Sequence, residues 1–315
     1  MVQTLKTFGK KFFQLVEAHE TIVIFHHINP DGDCLGSQFG LKAWLKKLYP
    51  TKQIHAVGNN ENLFSWLNWD FSDPETIALD QALAIVVDAN YSNRIQNLQL
   101  LQQIPTKIRI DHHPEADDLD YQLRFVDSSY CASAEQISDL IFQTQRTTLD
   151  VTIATYLYLG IYTDSGRFFY DKTSSRTHNL CAYLFSSGFD FNNLHQQLAK
   201  RSVQELAFIQ DVYKHYKTES HVIYYYLSQA KIKQLNSELQ NANRVDLLAN
   251  IDDYQVWIFF IENPDGSIRV RLRSSTKNVQ QLAQQYGGGG HLKASGAILK
   301  NKHQIKKFVI QATKL

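Results

Sequence analysis

The chain has 315 residues, a length that suits two domains better than one. Hydrophobic residues make up 43% and charged residues 20%, which provides for a buried core and excludes wholesale disorder. The 32 Lys and Arg residues nearly balance the 31 Asp and Glu residues, for a net charge of +1. This balance excludes a globally basic nucleic-acid coat but leaves room for a local basic patch.

The N-terminal segment predicts a packing helix, because Leu5, Phe8, Phe12 and Leu15 recur at helical spacing. It has lysines but neither a continuous apolar block nor a small-residue cleavage site, so we expect no signal peptide. No apolar run approaches the roughly 18 residues of a membrane span, so we expect no membrane association.

The first half of the chain alternates short apolar runs with helical patterns. Strands are predicted at 21–26, 84–88 and 107–111, and helices at 37–48, 133–144 and 150–162. This alternation is typical of an α/β domain, a doubly wound and mainly parallel sheet with helices on both faces. Ligands of such sheets bind beyond the carboxyl ends of the strands.

The second half follows a different pattern. A polar helical stretch at 186–220 connects to predicted strands at 221–228, 255–262 and 267–274, and Asn263-Pro264-Asp265-Gly266 predicts a hairpin turn between the last two. A helix at 278–286, four glycines and a short strand near 294–299 complete a smaller α+β domain. We therefore predict a first domain at 1–190, a helical linker at 191–220 and a second domain at 221–315.

Acidic residues and histidines cluster at four places in the first half. The clusters are His27 with Asp31 and Asp33, then Asp88, then Asp111-His112-His113, and finally Asp164. Aspartate is common in solvated turns and at helix caps, which would explain the first cluster or Asp88 taken alone. The two histidines beside Asp111, after an apolar strand, are harder to dismiss. The coincidence of several of these clusters with strand ends favours a shared site.

The residue types in these clusters indicate a metal centre. His27, Asp31, Asp33, Asp88, His112 and Asp164 offer four carboxylates and two imidazoles, which suit Mn²⁺ or Mg²⁺ and, less comfortably, Zn²⁺ or Fe²⁺. Six ligands are too many for one catalytic ion with open positions but fit two ions that share a carboxylate. Two ions roughly 3.5–4 Å apart clamp the attacking and leaving oxygens of an in-line phosphoryl displacement.

These residues carry a resemblance to a known family. The pattern His27-x-x-Pro30-Asp31-x-Asp33-x-x-Gly36-Ser37, with Asp88, Asp111-His112-His113 and Asp164, resembles the four motifs of the DHH phosphoesterase superfamily. The second half resembles its DHHA1 substrate domain, through Arg269 to Ser274, Gly287 to His291 and Ala294 to Ala297. Order, spacing and length are similar to the group of bifunctional oligoribonucleases and pAp phosphatases, over nearly the whole chain.

The resemblance implies a role for each matching residue. His27 and Asp31 would hold one ion, Asp33, His112 and Asp164 the other, and Asp88 would bridge the two. Among the catalytic residues, Asp111 would orient a neighbouring ligand, and His113 would bind a phosphate oxygen or protonate the leaving oxygen. Phosphate binding would fall to the second domain, so that the active site lies in the cleft between the domains. The candidates there are Arg271, Arg273, Ser274, Gly289, Gly290 and His291, and the sequence does not separate Arg269 from its neighbours.

The implied function is a metal-dependent phosphoesterase that degrades very short RNA to mononucleotides and removes the 3′-phosphate of pAp to give AMP. Two divalent ions would be its cofactors, with Mn²⁺ expected and Mg²⁺ as the alternative. Short RNA oligonucleotides and nucleotide phosphates would be its partners, and the resemblance also allows a homodimer.

Two alternatives stay open at this point. A phosphodiesterase for linear or cyclic dinucleotides, such as pApA or cyclic di-AMP, would use the same motifs. A non-catalytic nucleotide-binding regulator on the same fold is the alternative from a different class, but loss of catalysis should remove ligands first, and all six are present.

The three cysteines, Cys34, Cys131 and Cys181, are widely spaced and form no C-x-x-C motif. Their number and spacing argue against a disulfide framework and against a thiolate zinc site. This usage is typical of the reducing cytosol, so we expect a cytoplasmic location.

Overall fold

The computed structural model describes residues 5–114, 117–235 and 244–315. The chain divides into two compact units, Met1–Ala199 and Lys200–Leu315. The division falls inside the segment that the sequence predicts as a linker. Helix α7, Phe191–Ala199, buries Leu194 in the core of the first unit, whereas helix α8, Val203–His215, buries Phe208 in that of the second.

The first unit contains a five-stranded parallel sheet. Its strands are β1 (Thr21–Phe25), β2 (Gln53–Ala56), β3 (Leu83–Val87), β4 (Thr106–Asp111) and β5 (Leu123–Val126), in the order β2-β1-β3-β4-β5. Its other helices are α1 (Leu5–Ala18), α2 (Gly32–Leu48), α3 (Leu98–Gln102), α4 (Ser133–Thr144), α5 (Val151–Asp164) and α6 (Ser175–Phe185). Short 3₁₀ turns lie at Pro74–Thr76 and Ser92–Arg94. The predicted parallel α/β architecture is confirmed.

Alternation along the buried strands distributes the core over both faces of this sheet. One face, with Ile22, Ile24 and Ile85, packs against α1, α2, α4 and α5. The other face, with Val23 and Val86, packs against α3 and the segments around Ile77 and Tyr121. Helix α1 is the packing helix that the N-terminal periodicity predicts. The sequence does not predict strands β2 and β5, because each has only four residues and shows no clear apolar run.

The second unit contains a six-stranded mixed sheet. Its strands are β6 (Lys217–Glu219), β7 (Val222–Leu227), β8 (Val256–Glu262), β9 (Ile268–Ser274), β10 (Gly289–His291) and β11 (Ala294–Leu299), in the order β10-β11-β9-β8-β7-β6. Its helices, besides α8, are α9 (Gln229–Gln234), α10 (Gln280–Gln284) and α11 (Gln304–Ala312), with a 3₁₀ turn at Val245–Leu248. The pair β7–β8 is parallel and the other pairs are antiparallel. The predicted hairpin turn joins β8 to β9.

The two faces of the mixed sheet are covered differently. Val270, Leu272 and Phe260 pack against α10 and α11 on one face. On the opposite face, Phe259 and Ile261 of β8 pack with the buried side chains of α8. Since directly opposed residues of neighbouring strands share a face, Arg271 of β9 lies on this second face beside Phe259. Among the described residues, no helix has the length and apolar character needed to cross a bilayer.

Candidate metal centre and arginine face

Three neighbouring strands of the parallel sheet end at the predicted ligands. His27 follows β1, Asp88 follows β3, and Asp111 is the last residue of β4, followed by His112. The order β1-β3-β4 makes these strands adjacent, so their carboxyl ends meet at one edge. Asp164 reaches the same site as the last residue of α5.

Asp31 and Asp33 are held by the start of α2. Asp31 caps the helix, and its Oδ1 accepts hydrogen bonds from the backbone N–H groups of Asp33 and Cys34, both at 3.0 Å. The helix begins at Gly32, five residues before the predicted start at 37, so Asp33 lies in its first turn and not in a loop. A Cβ atom on Gly32 would lie 2.2 Å from Oγ1 of Thr163, so glycine allows α2 to lie against the neighbour of Asp164.

Asp88 lies between the imidazoles of His27 and His112, and its Oδ1 is also 3.5 Å from Nδ1 of His113. Its Oδ2 is 3.4 Å from Nε2 of His27, and its Oδ1 is 3.4 Å from Nε2 of His112. The residue has a φ of 56°, a left-handed conformation that aspartate tolerates better than most residues, and it lies directly after the buried strand β3. Each carboxylate oxygen therefore faces a different imidazole.

The remaining candidate ligands join His27 and His112. Nε2 of His27 lies 3.6 Å from Oδ2 of Asp31. Nε2 of His112 lies 3.3 Å from Oδ2 of Asp164 and 3.9 Å from Oδ2 of Asp33. The six predicted ligands thus fall into a group around His27 and a group around His112, with Asp88 in both.

Burial concentrates negative charge in this cluster. Burial, with the charges of Asp88 and Asp164, raises the pKa of Asp33 well above its usual value, even though backbone N–H groups donate to it. Burial and the charges of Asp31 and Asp88 also raise the pKa of Asp164 to about 6, against the opposing effect of His112. The carboxylates cannot all ionise at low cost without cations beside them.

The donor set fits divalent metal ions. Two donor atoms bound to one ion at about 2.1 Å, at right angles, lie roughly 3 Å apart. The separations of 3.3–3.6 Å between each Nε2 and its nearest carboxylate oxygens are close to this value. Carboxylate oxygens with a minority of imidazole nitrogens are the ligands of hard or borderline cations.

Asp111 lies behind the ligands and positions its neighbours. It is fully buried, and its Oδ1 accepts hydrogen bonds from the backbone N–H of His113 at 3.0 Å and from Nδ1 of His113 at 2.8 Å. Its Oδ2 pairs with the guanidinium of Arg109, with Nε at 3.1 Å. Arg109 Nε also donates to the carbonyl of Ala89, the residue after Asp88, at 3.1 Å. The buried Arg109 therefore holds both the Asp111-His112-His113 motif and the loop that follows Asp88.

Arg109 and Ser133 also contact the candidate ligands or their neighbours, although the sequence patterns do not single them out. Arg109 could have been noticed as an arginine in the middle of the apolar run 107–111, where a charge needs a buried partner. Ser133 donates its backbone N–H to Oδ2 of Asp33 at 2.7 Å and its hydroxyl to Oδ1 of Asp88 at 3.2 Å. Its only sequence signal is its place at the start of a predicted helix.

In the second unit, Arg269, Arg271 and Arg273 of β9, which we call the arginine face, line an open cavity. Arg269, Arg271 and Arg273 alternate with the buried Ile268, Val270 and Leu272, as the sequence predicts. The cavity has a volume of about 520 Å³ and is lined by these arginines, the glycines 287–290 and residues of β11. Gly296 of β11 pairs with Arg271, and Gly289 of β10 pairs with Gly296, so no side chain of these two residues fills the space on that side of Arg271.

Arg271 is partly buried between two other positive charges, those of Arg269 and Arg273. Burial, together with the charges of Arg269 and Arg273, lowers the pKa of Arg271 to about 10. Within the described part of the chain, Nε of Arg271 and Nε of Arg269 are buried without a hydrogen-bond partner. Arg273 differs, since its Nη1 donates to the carbonyls of Leu272 and Ser295. An anion in the cavity would offset the repulsion among these positive charges and accept hydrogen bonds from the guanidinium groups.

The other predicted phosphate ligands are placed differently. Gly289, Gly290 and His291 form the exposed edge strand β10, beside the cavity. Ser274 is buried, and its hydroxyl donates to the carbonyl of Gln255 at 2.8 Å and accepts from the N–H of Lys277 at 2.7 Å. We interpret Ser274 as a residue that shapes the turn after β9.

The end of the chain is strongly basic. Residues 266–315 contain ten Lys and Arg residues and no Asp or Glu. The near-neutral charge of the whole chain conceals this asymmetry. A segment of this kind, which includes the arginine face, attracts polyanions and raises their local concentration.

Comparison with known proteins identifies the family. A model described as the DHH family, N-terminal domain, matches residues 21–161, and one described as the DHHA1 domain matches residues 220–315. The protein named bifunctional oligoribonuclease and PAP phosphatase NrnA from Mycoplasma genitalium is 45% identical over 95% of this chain and 95% of its own length. The chain belongs to the DHH family. The family predicted from the sequence is confirmed.

A second relative and a solved structure are also similar to this DHH chain. The protein of the same name from Mycoplasma pneumoniae is 44% identical over 93% of the chain and 92% of its own length. The crystal structure of an exopolyphosphatase-related protein from Bacteroides fragilis superposes with a TM-score of 0.88, at 22% identity, over 98% of the chain and 96% of its own. At that identity the likeness establishes the DHH–DHHA1 fold alone.

Proposed function

We propose that this chain is a two-metal phosphoesterase that hydrolyses very short oligoribonucleotides to mononucleotides and removes the 3′-phosphate of pAp to give AMP. The observation that carries the proposal is the position of Asp88, whose two carboxylate oxygens each lie 3.4 Å from a different histidine. A carboxylate so placed can bridge two ions. The names of the two mycoplasma relatives support the choice of substrates.

The proposed ligands divide between two divalent ions. His27 and Asp31 would hold one ion, Asp33, His112 and Asp164 the other, and Asp88 both. Bound there, the ions would acidify a water molecule and offset the charge of the phosphate. We propose Mn²⁺ as the resident ion, with Mg²⁺ as the alternative, because four carboxylates with two imidazoles suit Mn²⁺.

His113 is proposed to act on the phosphate through Nε2. Its Nδ1 lies 2.8 Å from Oδ1 of Asp111, which fixes the orientation of the ring. Burial by itself would lower the pKa of His113, but the carboxylates of Asp111 and Asp88 outweigh it and raise that pKa. A protonated His113 can hold a phosphate oxygen or donate a proton to the leaving oxygen.

The arginine face is proposed to bind a phosphate of the substrate. Arg271 has the donors and the open cavity for a bidentate phosphate contact, and Arg269 and Arg273 add positive charge. Gly289 and Gly290 permit close approach of backbone N–H groups to an anion, and His291 adds a further donor.

We also propose a cellular location for the protein. Cys34, Cys131 and Cys181 are buried and unbridged, which favours a reducing, cytoplasmic location. A homodimer stays an expectation, to be checked by sedimentation velocity.

A turnover panel with Mn²⁺ tests the function. The substrates are 5′-labelled RNA dimers to 24-mers, pAp, linear pApA, cyclic di-AMP and pyrophosphate. Rapid release of mononucleotides from the shortest RNAs together with dephosphorylation of pAp is the expected result. A strong preference for pApA or cyclic di-AMP would instead assign the same centre to dinucleotide turnover. Failure to hydrolyse any of them, with metal bound, would favour the non-catalytic regulator.

A further inference from the structure

Two aromatic side chains stand in solvent just after Asp164. Helix α5 ends at that residue, and the chain turns before α6 begins at Ser175. In this turn the side chain of Phe169 is 81% exposed and that of Tyr170 is 63% exposed. Large exposed aromatic side chains are unfavourable in water, and two in succession mark a candidate binding surface.

The turn is held firmly in place. The N–H of Arg167 donates to the carbonyl of Tyr162 at 2.8 Å, and the N–H of Phe168 to the hydroxyl of Ser165 at 3.0 Å. The N–H of Tyr170 donates to the carbonyl of Ser165, the residue next to Asp164, at 3.0 Å. The backbone of Tyr170 is therefore tied directly to the start of the turn, beside the metal centre.

The turn also contains backbone strain. Gly166, Arg167 and Phe168 have φ values of 58°, 61° and 68°, and left-handed conformations are costly for arginine and phenylalanine. Phe168 compensates by packing its ring against Tyr162 and His178, with ring centroids 5.6 Å and 5.1 Å apart. Strain of this kind persists where the surrounding structure enforces it, often at functional sites.

The strained turn sets the direction of the two exposed rings. With the ring of Phe168 anchored inward, the next residue, Phe169, is displayed to solvent. The ring of Tyr170 lies over Gly166, where a Cβ atom would come within 2.6 Å of its Cζ. Glycine at 166 therefore makes room for the ring of Tyr170.

We propose that Phe169 and Tyr170 form a stacking platform for a nucleobase of the substrate. The inference rests on the proposed function, since it takes the phosphate to be bound at the centre that includes Asp164. A nucleotide carries its base one ribose away from that phosphate, and the platform lies five and six residues after this ligand, in the turn that begins at Ser165. Aromatic faces stack on any base, so the platform binds nucleotides without strict sequence preference.

This occupant is favoured by the continuity of the turn with the metal centre. The hydrogen bond between Tyr170 and Ser165 joins the platform to the residue next to Asp164. Arg167, an exposed residue two positions before Phe169, adds a positive charge to the same turn, and a nucleotide is anionic. The platform would make nucleotides better substrates than phosphates without a base.

The test compares pAp with an abasic analogue in which hydrogen replaces adenine at C1′. Phe169→Ala and Tyr170→Ala are each expected to raise the KM for pAp about tenfold and to leave the KM of the abasic analogue unchanged. Phe169→Trp, which keeps an aromatic face, should restore the wild-type KM. Phe142→Ala is the matched control, because Phe142 is also partly exposed but lies on α4 against Tyr183.

The outcomes separate the platform from the proposed function. Equal losses on both substrates, or no loss on either, would overturn the platform. Loss of self-association in Phe169→Ala, with KM unchanged, would also overturn it and assign the rings to a contact between copies. If the wild type hydrolyses neither substrate, the proposed function fails, and calorimetric binding of pAp against the abasic analogue still tests the platform.

Discussion

Ser133 donates its backbone N–H to Oδ2 of Asp33 over 2.7 Å, although 100 positions separate the two residues in the sequence. The next N–H of the same helix, that of Ala134, donates to Oδ1 at 2.9 Å, and the hydroxyl of Ser37 adds a third hydrogen bond. The N-terminus of α4 therefore fixes the carboxylate of Asp33, and its partial positive charge stabilises the ionised form.

Gly160 is expected to be essential for this contact. A Cβ atom at 160 would lie 2.5 Å from Cβ of Ala134 and 3.0 Å from Oδ1 of Asp33. Gly160→Ala should therefore lower the free energy of unfolding by about 1–3 kcal/mol through overpacking and reduce metal content by displacing Asp33. Urea denaturation and metal analysis would check this. Thr152→Ala, at an exposed position of the same helix, should change neither, and equal behaviour of the two variants would contradict the prediction.

Asp88→Asn tests the bridging role more cleanly than Asp88→Ala. Asparagine keeps the volume and tolerates the left-handed φ of 56°, so the loss is confined to the charge. Loss of a residue that only orients a metal ligand typically lowers activity or metal affinity by about 10–100-fold. Since Asp88 is proposed to bind the metals directly, turnover should fall by at least about 100-fold, and the number of bound ions per chain should drop. Asp118→Asn removes a surface carboxylate that binds Ser92 and is the control. Near-wild-type turnover of Asp88→Asn would refute the two-metal assignment.

Arg109→Met should destabilise the first unit strongly. The substitution leaves Asp111 buried without its cation, and such losses cost about 3–5 kcal/mol. Turnover should also fall, because Asp111 orients His113. Arg124 pairs with the same Asp117 as Arg109 does but is partly exposed, so Arg124→Met should cost about 0–1 kcal/mol. Similar unfolding midpoints for the two variants would mean that the buried pair contributes little.

Arg271→Gln should weaken substrate binding without affecting the metals. A charge-assisted hydrogen bond contributes about 1.5–3 kcal/mol, so kcat/KM for pAp should fall roughly 10- to 100-fold. Metal content should stay at the wild-type level. Lys302→Gln removes one positive charge from the same basic segment, outside the arginine face, and should have a small effect that disappears at high salt. Loss of metal from Arg271→Gln would show that its role has been misassigned.

Local patterns explain which parts of the site could be predicted. Apolar runs locate several strands, and the polar residues at their ends can be read in order, so the sequence alone predicts His27, Asp88 and His112 as candidate ligands. The bounds of α4 agree with the predicted 133–144. The sequence pattern places the start of α2 five residues too late, because Gly32 and Asp33 are typical turn residues and the cap formed by Asp31 is a feature of the folded chain.

Other features depend on contacts that no local pattern encodes. Ser133 donates to Asp33 on α2, and Arg109 donates to the carbonyl of Ala89 in the loop after β3. Neither contact can be read from the residues near Ser133 or Arg109 in the sequence. Ser274 was placed among the phosphate ligands by its neighbours in the sequence, yet its hydroxyl serves the turn after β9. The positions of Phe169 and Tyr170 depend on the left-handed residues before them.

The sequence by itself determined which residues are candidate ligands, where β1, β3 and β4 lie, and the alternation that puts three arginines on one face of β9. These follow from residue chemistry and from the twofold and helical periodicities of the backbone. Tertiary structure decided that the two oxygens of Asp88 face different histidines and that the space beside Arg271 stays open. Both depend on packing between elements distant in sequence, where steric fit and buried hydrogen bonds select one arrangement from many.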